Sequence, residues 1–196
     1  MVPEILKTIE IETRNQRKSS LWMEMRYGRV TASKAYEVAH CHKKDGVLVE
    51  KILGAKVFQT KAMEQGLKLE NLVIEELKKQ TKKTYKKAGL FLSEEFPIIR
   101  ASPDFITDDS VIEIKCPSSE KTFRNYIGND GKIKKNRLYQ IQLQMHLAKK
   151  NTAVFVVASH DFERTKKITV KDATYDKNLV EKIIGDVMQD WSDVNL

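Results

Sequence analysis

Cysteine is scarce: the 196-residue chain carries two, Cys41 and Cys116. Two thiols make no disulfide framework, so a reduced, intracellular setting is expected. They also fall short of the four thiolates an iron–sulfur cluster takes. His40-Cys41-His42 resembles a fragment of a zinc site but lacks paired spacing and a fourth ligand. Four prolines and eight glycines are too few for a collagen-like or linker-dominated chain. Long apolar runs are missing, and Ala153 to Ala158 falls far short of the roughly 20 residues a membrane-spanning helix needs. No membrane partner is therefore expected, and the stretch after Pro3 and Glu4 has no secretory-signal pattern. A Gly-x-x-x-x-Gly-Lys-Ser/Thr segment is also absent, which excludes a phosphate-loop ATP motor.

Acidic residues are outnumbered, 27 against 35 Lys and Arg, for a formal charge of +8. Surplus cations commonly serve a polyanionic partner, although a lysine-rich solubility coat has the same composition. With 41% hydrophobic and 32% charged residues the chain reads as a soluble globule. A body of this size buries roughly 70% of its unfolded surface, enough for a substantial core. No repeat or low-complexity block interrupts it, so residues 1–196 are expected to form one domain.

Hydrophobic spacing predicts helices over Pro3 to Arg14, Leu21 to Met25 behind Ser19 and Ser20, and Glu50 to Phe58. Thr31-Ala32-Ser33 is expected to cap a helix running towards His40. Glu70 to Lys79 gives the clearest helix, with Leu69, Leu72, Val73 and Leu77 as its buried stripe. The middle of the chain changes period. Ala88 to Leu92, Ile98 to Ala101 and Val111 to Ile114 read as short strands, punctuated by Pro97, Pro103, Asp108, Asp109 and Pro117. A helix over Leu138 to Leu147, strands over Ala153 to Ser159 and Lys166 to Val170, and a helix over Asn178 to Trp191 follow. The expected fold class is α/β, a central mixed sheet flanked by helices.

The sharpest local feature is Ser102-Pro103-Asp104, eight residues, then Glu113-Ile114-Lys115. Alternate residues of a strand share a face, so Glu113 and Lys115 point together with Val111, while Ile112 and Ile114 enter the opposite core. The connection from Phe105 to Ser110 is short enough for Asp104 and Glu113 to meet on neighbouring strands. Two carboxylates about 4 Å apart repel by roughly 4 kcal/mol at an effective dielectric near 20. Either one takes a proton or a hard divalent ion sits between them. Mg²⁺ suits one or two carboxylates, a carbonyl, water and substrate phosphate, and beside an ammonium this is the equipment of phosphodiester hydrolysis. Acid-x-Lys alone is common, as at Glu76-Leu77-Lys78 and Asp130-Gly131-Lys132, where it makes at most a surface ion pair. Only the copy at Glu113 lies in an apolar strand with an Asp before it.

These residues resemble the PD-(D/E)XK nuclease superfamily, which leaves restriction-type and repair endonucleases open. Three further segments narrow the likeness. Trp22 with Arg26-Tyr27-Gly28-Arg29-Val30-Thr31-Ala32-Ser33, Gly66-Leu67-Lys68-Leu69-Glu70-Asn71, and Tyr139-Gln140-Ile141-Gln142-Leu143-Gln144-Met145 are similar, in order, to blocks of the phage lambda exonuclease or YqaJ-like viral recombinase family. The resemblance implies a restriction-endonuclease-like fold and Mg²⁺- or Mn²⁺-dependent digestion of duplex DNA from its ends, 5′ to 3′. It implies metal ligands at Asp104, Glu113, the Ile114 carbonyl and Glu70, a catalytic Lys115 with Gln140 beside it, and phosphate contacts from Arg26, Ser33 and Ser102. It also implies a homotrimer and a single-strand annealing partner. A structure- or sequence-specific endonuclease, or a DNA-binding module without catalysis, stays open as an alternative.

Lys121, Arg124, Lys132, Lys134, Lys135 and Arg137 interleave with Phe123 and Tyr126 directly after the expected metal strand, placed to grip DNA phosphates, with a solvated loop as the alternative. Lys78, Lys79, Lys82, Lys83, Lys86 and Lys87 read as a solvated face. Gln142 is expected to lie off the site, and His146 to pack rather than ligate.

Overall fold

A computed structural model describes residues 3–40 and 61–192. The helix expected over Glu50 to Phe58, and Cys41 and His42 of the rejected zinc fragment, lie outside them. The chain opens with α1 (Glu4–Glu12), a 3-10 turn (Gln16–Lys18), α2 (Ser20–Glu24), β1 (Val30–Thr31) and α3 (Ala35–Val38). After α4 (Lys61–Thr81) come β2 (Lys86–Lys87), β3 (Phe91–Leu92), β4 (Ile99–Ala101), β5 (Phe105–Ile106) and β6 (Ser110–Lys115). The chain then runs through α5 (Glu120–Phe123), α6 (Lys135–Ala148), β7 (Thr152–Ala158), α7 (Phe162–Thr165), β8 (Ile168–Thr174) and α8 (Lys177–Ser192).

The strands divide between two sheets, where the sequence suggested one. The larger runs β2-β5-β6-β7-β8 and is antiparallel except for the parallel pair β6–β7. The smaller runs β1-β4-β3, with β1 parallel to β4. Ile112 and Ile114 of β6 pack with Val73, Ile74 and Leu77 of α4 on one face of the large sheet. Val111 packs with Ile141 and Met145 of α6 on the other. β6 is thus sandwiched between the two longest helices of the middle of the chain, with the side-chain alternation expected of it. A third cluster joins β1 and β4 to α3, α6 and α8.

Several expectations need correcting. Residues 88–90 form no strand because their backbone serves another purpose. Gly89 N donates to Glu10 Oε1 at 2.9 Å and Leu90 N to Thr13 Oγ1 at 2.7 Å, so α1 takes the hydrogen bonds a strand partner would have taken. The approach is so close that a Cβ on Gly89 would lie 1.8 Å from the Glu10 carbonyl oxygen. Thr31 belongs to β1, and the helix expected from the Thr31-Ala32-Ser33 cap begins only at Ala35. α4 starts nine residues before Glu70, with Gly66 inside it, so the apolar stripe marked only its packed second half. Within that stripe Leu72 is exposed and Ile74 is buried instead. β8 also extends beyond Val170 to Thr174. Ser19 does cap α2, accepting from Trp22 N at 3.3 Å. Among the described residues no helix is long and apolar enough to cross a membrane.

Candidate active site

The β5–β6 ladder pairs Phe105 with Ile112, and one step further Asp104 stands opposite Glu113. Asp104 N donates to the Ile112 carbonyl at 3.0 Å, continuing the ladder past the end of β5. Its Oδ2 accepts the Ile114 N–H at 2.7 Å, which fixes the carboxylate against β6. Its Oδ1 has no hydrogen-bond partner among the described residues. Gln16, in the turn after α1, donates to the carbonyls of Ala88 at 3.1 Å and Pro103 at 3.0 Å, so the N-terminal segment braces the backbone just before Asp104.

Glu113 is buried, 3% exposed, and both its oxygens are engaged. Oε1 accepts from Lys115 Nζ and, at 2.6 Å, from Gln140 Nε2. Oε2 accepts from Gln144 Nε2 at 2.6 Å. Gln144 is the residue sequence reading missed; its spacing of four from Gln140 on one helix was the available signal. The amide oxygens of both glutamines are buried without a partner. Gln142 turns away as expected, donating to the Thr174 carbonyl and accepting from Asp176 N. His146 packs against Tyr175, with Nδ1 2.9 Å from its hydroxyl oxygen.

Charge is crowded here. Burial pushes the Asp104 carboxyl well above its ordinary range, Glu113 and Glu70 add to the rise, and Lys115 and the Ile114 N–H oppose it. Burial and then Glu113 also raise Glu70, against Lys115, Lys87 and Arg17. Burial disfavours the Lys115 cation, but Glu113 and Asp104 outweigh it and the net shift is upward. Glu70, Asp104, Glu113 and Lys115 therefore form one electrostatic unit, and Glu70 joins it from the middle of α4 rather than from the helix start the sequence suggested. Cys116, pushed up to about 12 chiefly by burial, is no nucleophile.

Elevated acids, an unpartnered Asp104 oxygen and two orphaned amide oxygens are donors that suit a cation. The oxygen-only donor set fits Mg²⁺ or Mn²⁺. Among the described residues no three His, Cys, Asp or Glu side chains are gathered closely enough to cage an ion, so Glu70, Asp104 and Glu113 do not form a closed carboxylate cage.

Ser102, two residues before Asp104, accepts from Trp22 Nε1 at 3.0 Å, and the Arg26 guanidinium lies 4.0 Å from the centre of the Trp22 ring. Arg26 is lowered to about 10 by burial and then by Arg17, with Glu113 opposing, so it too feels the carboxylate site. Ser33, just past β1, is exposed with its Oγ 3.1 Å from Thr31 Oγ1. Of the basic segment, Arg124 is paired with Glu120 at 2.8 Å, and Lys121, Lys132, Lys134 and Lys135 are exposed. Arg137 alone of these turns inward. It stacks 4.9 Å from the Tyr126 ring, its Nε has no partner, and its charge acts on Lys115.

Comparison with known proteins gives a family and a fold. The model of the YqaJ-like viral recombinase domain matches residues 21–151, which contain Arg26, Glu70, Asp104, Glu113, Lys115 and Gln140. In three dimensions the chain is similar to LHK-Exo, an alkaline exonuclease from Laribacter hongkongensis solved in complex with dAMP. The two are 23% identical with a TM-score of 0.75, over 88% of this chain and 91% of that one. A phage-related exonuclease from Haemophilus somnus 129PT gives 17% identity and a TM-score of 0.65, over 85% and 94%. The protein of a SOX–DNA complex gives 12% and 0.60, over 96% and 70%. No match was found among curated proteins. Two sheets, a carboxylate pair across one ladder and a matching domain model over most of the chain lead to one assignment: a PD-(D/E)XK-like fold, in a chain that belongs to the YqaJ-like viral recombinase family.

Proposed function

We propose that the protein is a divalent-metal-dependent deoxyribonuclease that removes nucleotides from duplex DNA ends, 5′ to 3′, in recombination or viral-type DNA processing. The observation that carries this reading is Asp104 opposite Glu113 across the β5–β6 ladder, with Lys115 held on Glu113. The family match and the likeness in fold to known exonucleases support it.

Asp104, Glu113, the Ile114 carbonyl and Glu70 are the groups to hold Mg²⁺ or Mn²⁺, which would polarise a phosphate oxygen and acidify a bound water. The residues of the chain supply the rest. Gln140 and Gln144 hold Glu113 in one orientation. Lys115, kept cationic by its carboxylate neighbours, is a hydrogen-bond donor to the attacking oxygen or to the phosphate. Arg26, stacked on Trp22, presents a guanidinium fork to a phosphate, with Ser102 supporting Trp22 and Ser33 offering a further hydroxyl. A homotrimer and a single-strand annealing protein are the partners this family reading brings with it.

The test is digestion of linear and covalently closed duplexes with Mg²⁺. Linear DNA degraded from 5′-phosphorylated ends, with closed circles left intact, is the expected result. Equal cutting of circles would favour an endonuclease on the same site. Asp104→Asn and Lys115→Ala should abolish cleavage while retaining much of the DNA affinity; full activity in both would remove the catalytic assignment.

A further inference from the structure

Arg100 is an anomaly of burial. It lies in the middle of β4, between Ile99 and Ala101, which face the core beside Val30, α3 and α6. Strand alternation turns Arg100 to the opposite face of the small sheet, together with its ladder partner Thr31. Only 6% of the residue is exposed, yet no acidic side chain among the described residues lies within ion-pair distance. Among the described residues its side chain makes one hydrogen bond, Nη1 to the neighbouring Ile99 carbonyl at 3.1 Å, and its Nε has no partner.

The nearest acting charge makes matters worse. Burial and then the like charge of Arg29 lower Arg100 to about 10. Arg29 is exposed, and among the described residues its side chain donates only to the Gly28 carbonyl. A buried cation beside a second cation costs several kcal/mol unless an anion joins them. Natural proteins rarely leave a buried donor unmet without a ligand, water or function to account for it.

We propose that Arg29 and Arg100 form a second phosphate site, distinct from the metal centre, which takes a backbone phosphate of the bound DNA strand. This rests on the nuclease reading for its substrate, but not for its chemistry. Placement supports the strand. β4 runs on through Ala101 into Ser102, which holds Trp22 beneath Arg26, and then into Asp104. Thr31 leads to Ser33, whose hydroxyl it touches. The same sheet face therefore leads from Arg100 to the groups assigned to the phosphate under attack. A strand leaving that point along β4 would bring a later phosphate over the two arginines.

The test uses the full chain in an Asp104→Asn background with Mg²⁺, measuring affinity by anisotropy for duplexes bearing 5′-phosphate or 5′-hydroxyl ends. Arg100→Met should bind both about tenfold more weakly, with the slope of log affinity against log salt reduced by about one. It should melt no lower than its parent, because an apolar side chain replaces an unpaired buried charge. Unchanged affinity and slope overturn the site, as does a lower melting temperature with unchanged binding, which marks a purely structural arginine. A loss confined to 5′-phosphorylated ends overturns the backbone assignment in favour of the terminal phosphate. Should Arg100→Met not fold, Arg29→Met at the exposed edge must show the same reduced slope, and an unchanged slope overturns the proposal. If the parent binds no DNA, the nuclease reading fails separately. Inorganic pyrophosphate must then still raise the melting temperature of wild type and not of the Arg29 variant, and no shift in wild type removes the site.

Discussion

Gln144 donates its amide to Glu113 Oε2 at 2.6 Å, closing from α6 the side of the carboxylate that Lys115 and Gln140 leave open. Glu113 thus has its rotamer fixed from two elements before any ion arrives. Groups that orient a metal ligand commonly contribute 10- to 100-fold to metal affinity or activity. Gln144→Leu should raise the Mg²⁺ concentration for half-maximal activity about tenfold, with kcat largely recovered at saturating metal. A titration of activity against Mg²⁺ decides it; an unchanged midpoint would make Gln144 a packing residue only.

The same residue shows what was legible in the sequence. Asp104, Glu113 and Lys115 could be read because strand periodicity fixes their faces without knowledge of tertiary packing. The faces of Val111, Ile112 and Ile114 followed for the same reason. The i,i+4 spacing put Gln144 on the face of Gln140 but did not show whether that face was solvated, since its burial comes from the packing of α6 on β6. Residues 88–90 look like a strand locally, and only the distant Glu10 and Thr13 side chains decide otherwise. Arg100 carries no sequence signal at all: an arginine beside an apolar run is ordinary until its face is known to be closed.

If the proposed ion binds at the raised carboxyls, metal and protons compete there. Asp104 and Glu70 hold protons in the metal-free fold at a pH where the unfolded chain, with carboxyls near 4, has released them. The folded state then binds more protons than the unfolded, so metal-free stability falls as pH rises from the ordinary carboxylate range through the raised values. The proposed divalent ion would remove that penalty by taking the protons' place. Melting curves from pH 5 to 9 should show a metal-free protein losing stability with pH, and a Mg²⁺-dependent gain that widens. A gain that shrinks with pH would contradict two elevated acids at the ion site.

Arg137 lies on the same face of α6 as Gln140 and Gln144, at spacings of three and seven, and stacks on Tyr126. Its charge reaches Lys115 while its Nε is unpaired among the described residues, a donor available to a phosphate in the proposed reaction. Arg137→Ala should lower kcat/KM about tenfold or more. Arg137→Lys should restore only part of this, because an ammonium keeps the charge but loses the planar stack. Equal activity of the lysine variant and wild type would show that charge alone matters there.

The bracing of Asp104 begins at the far end of the chain. Glu10, buried and paired with Arg14 at 2.7 Å, accepts the Gly89 N–H, and Gln16 then ties the carbonyls of Ala88 and Pro103 together. A side chain at residue 89 would enter the α1 backbone, 1.8 Å from the Glu10 carbonyl oxygen, so Gly89→Ala should cost about 3 kcal/mol or more as α1 is pushed off. Gln16→Ala removes two hydrogen bonds without creating a clash and should cost about 1–3 kcal/mol. The two variants separate stability from positioning. Denaturant unfolding measures the first, and the activity of the still-folded Gln16→Ala at saturating Mg²⁺ measures the second. If the N-terminal segment positions Asp104 through Pro103, that activity falls although no active-site side chain has been changed. Full activity would confine the role of α1 to holding the fold.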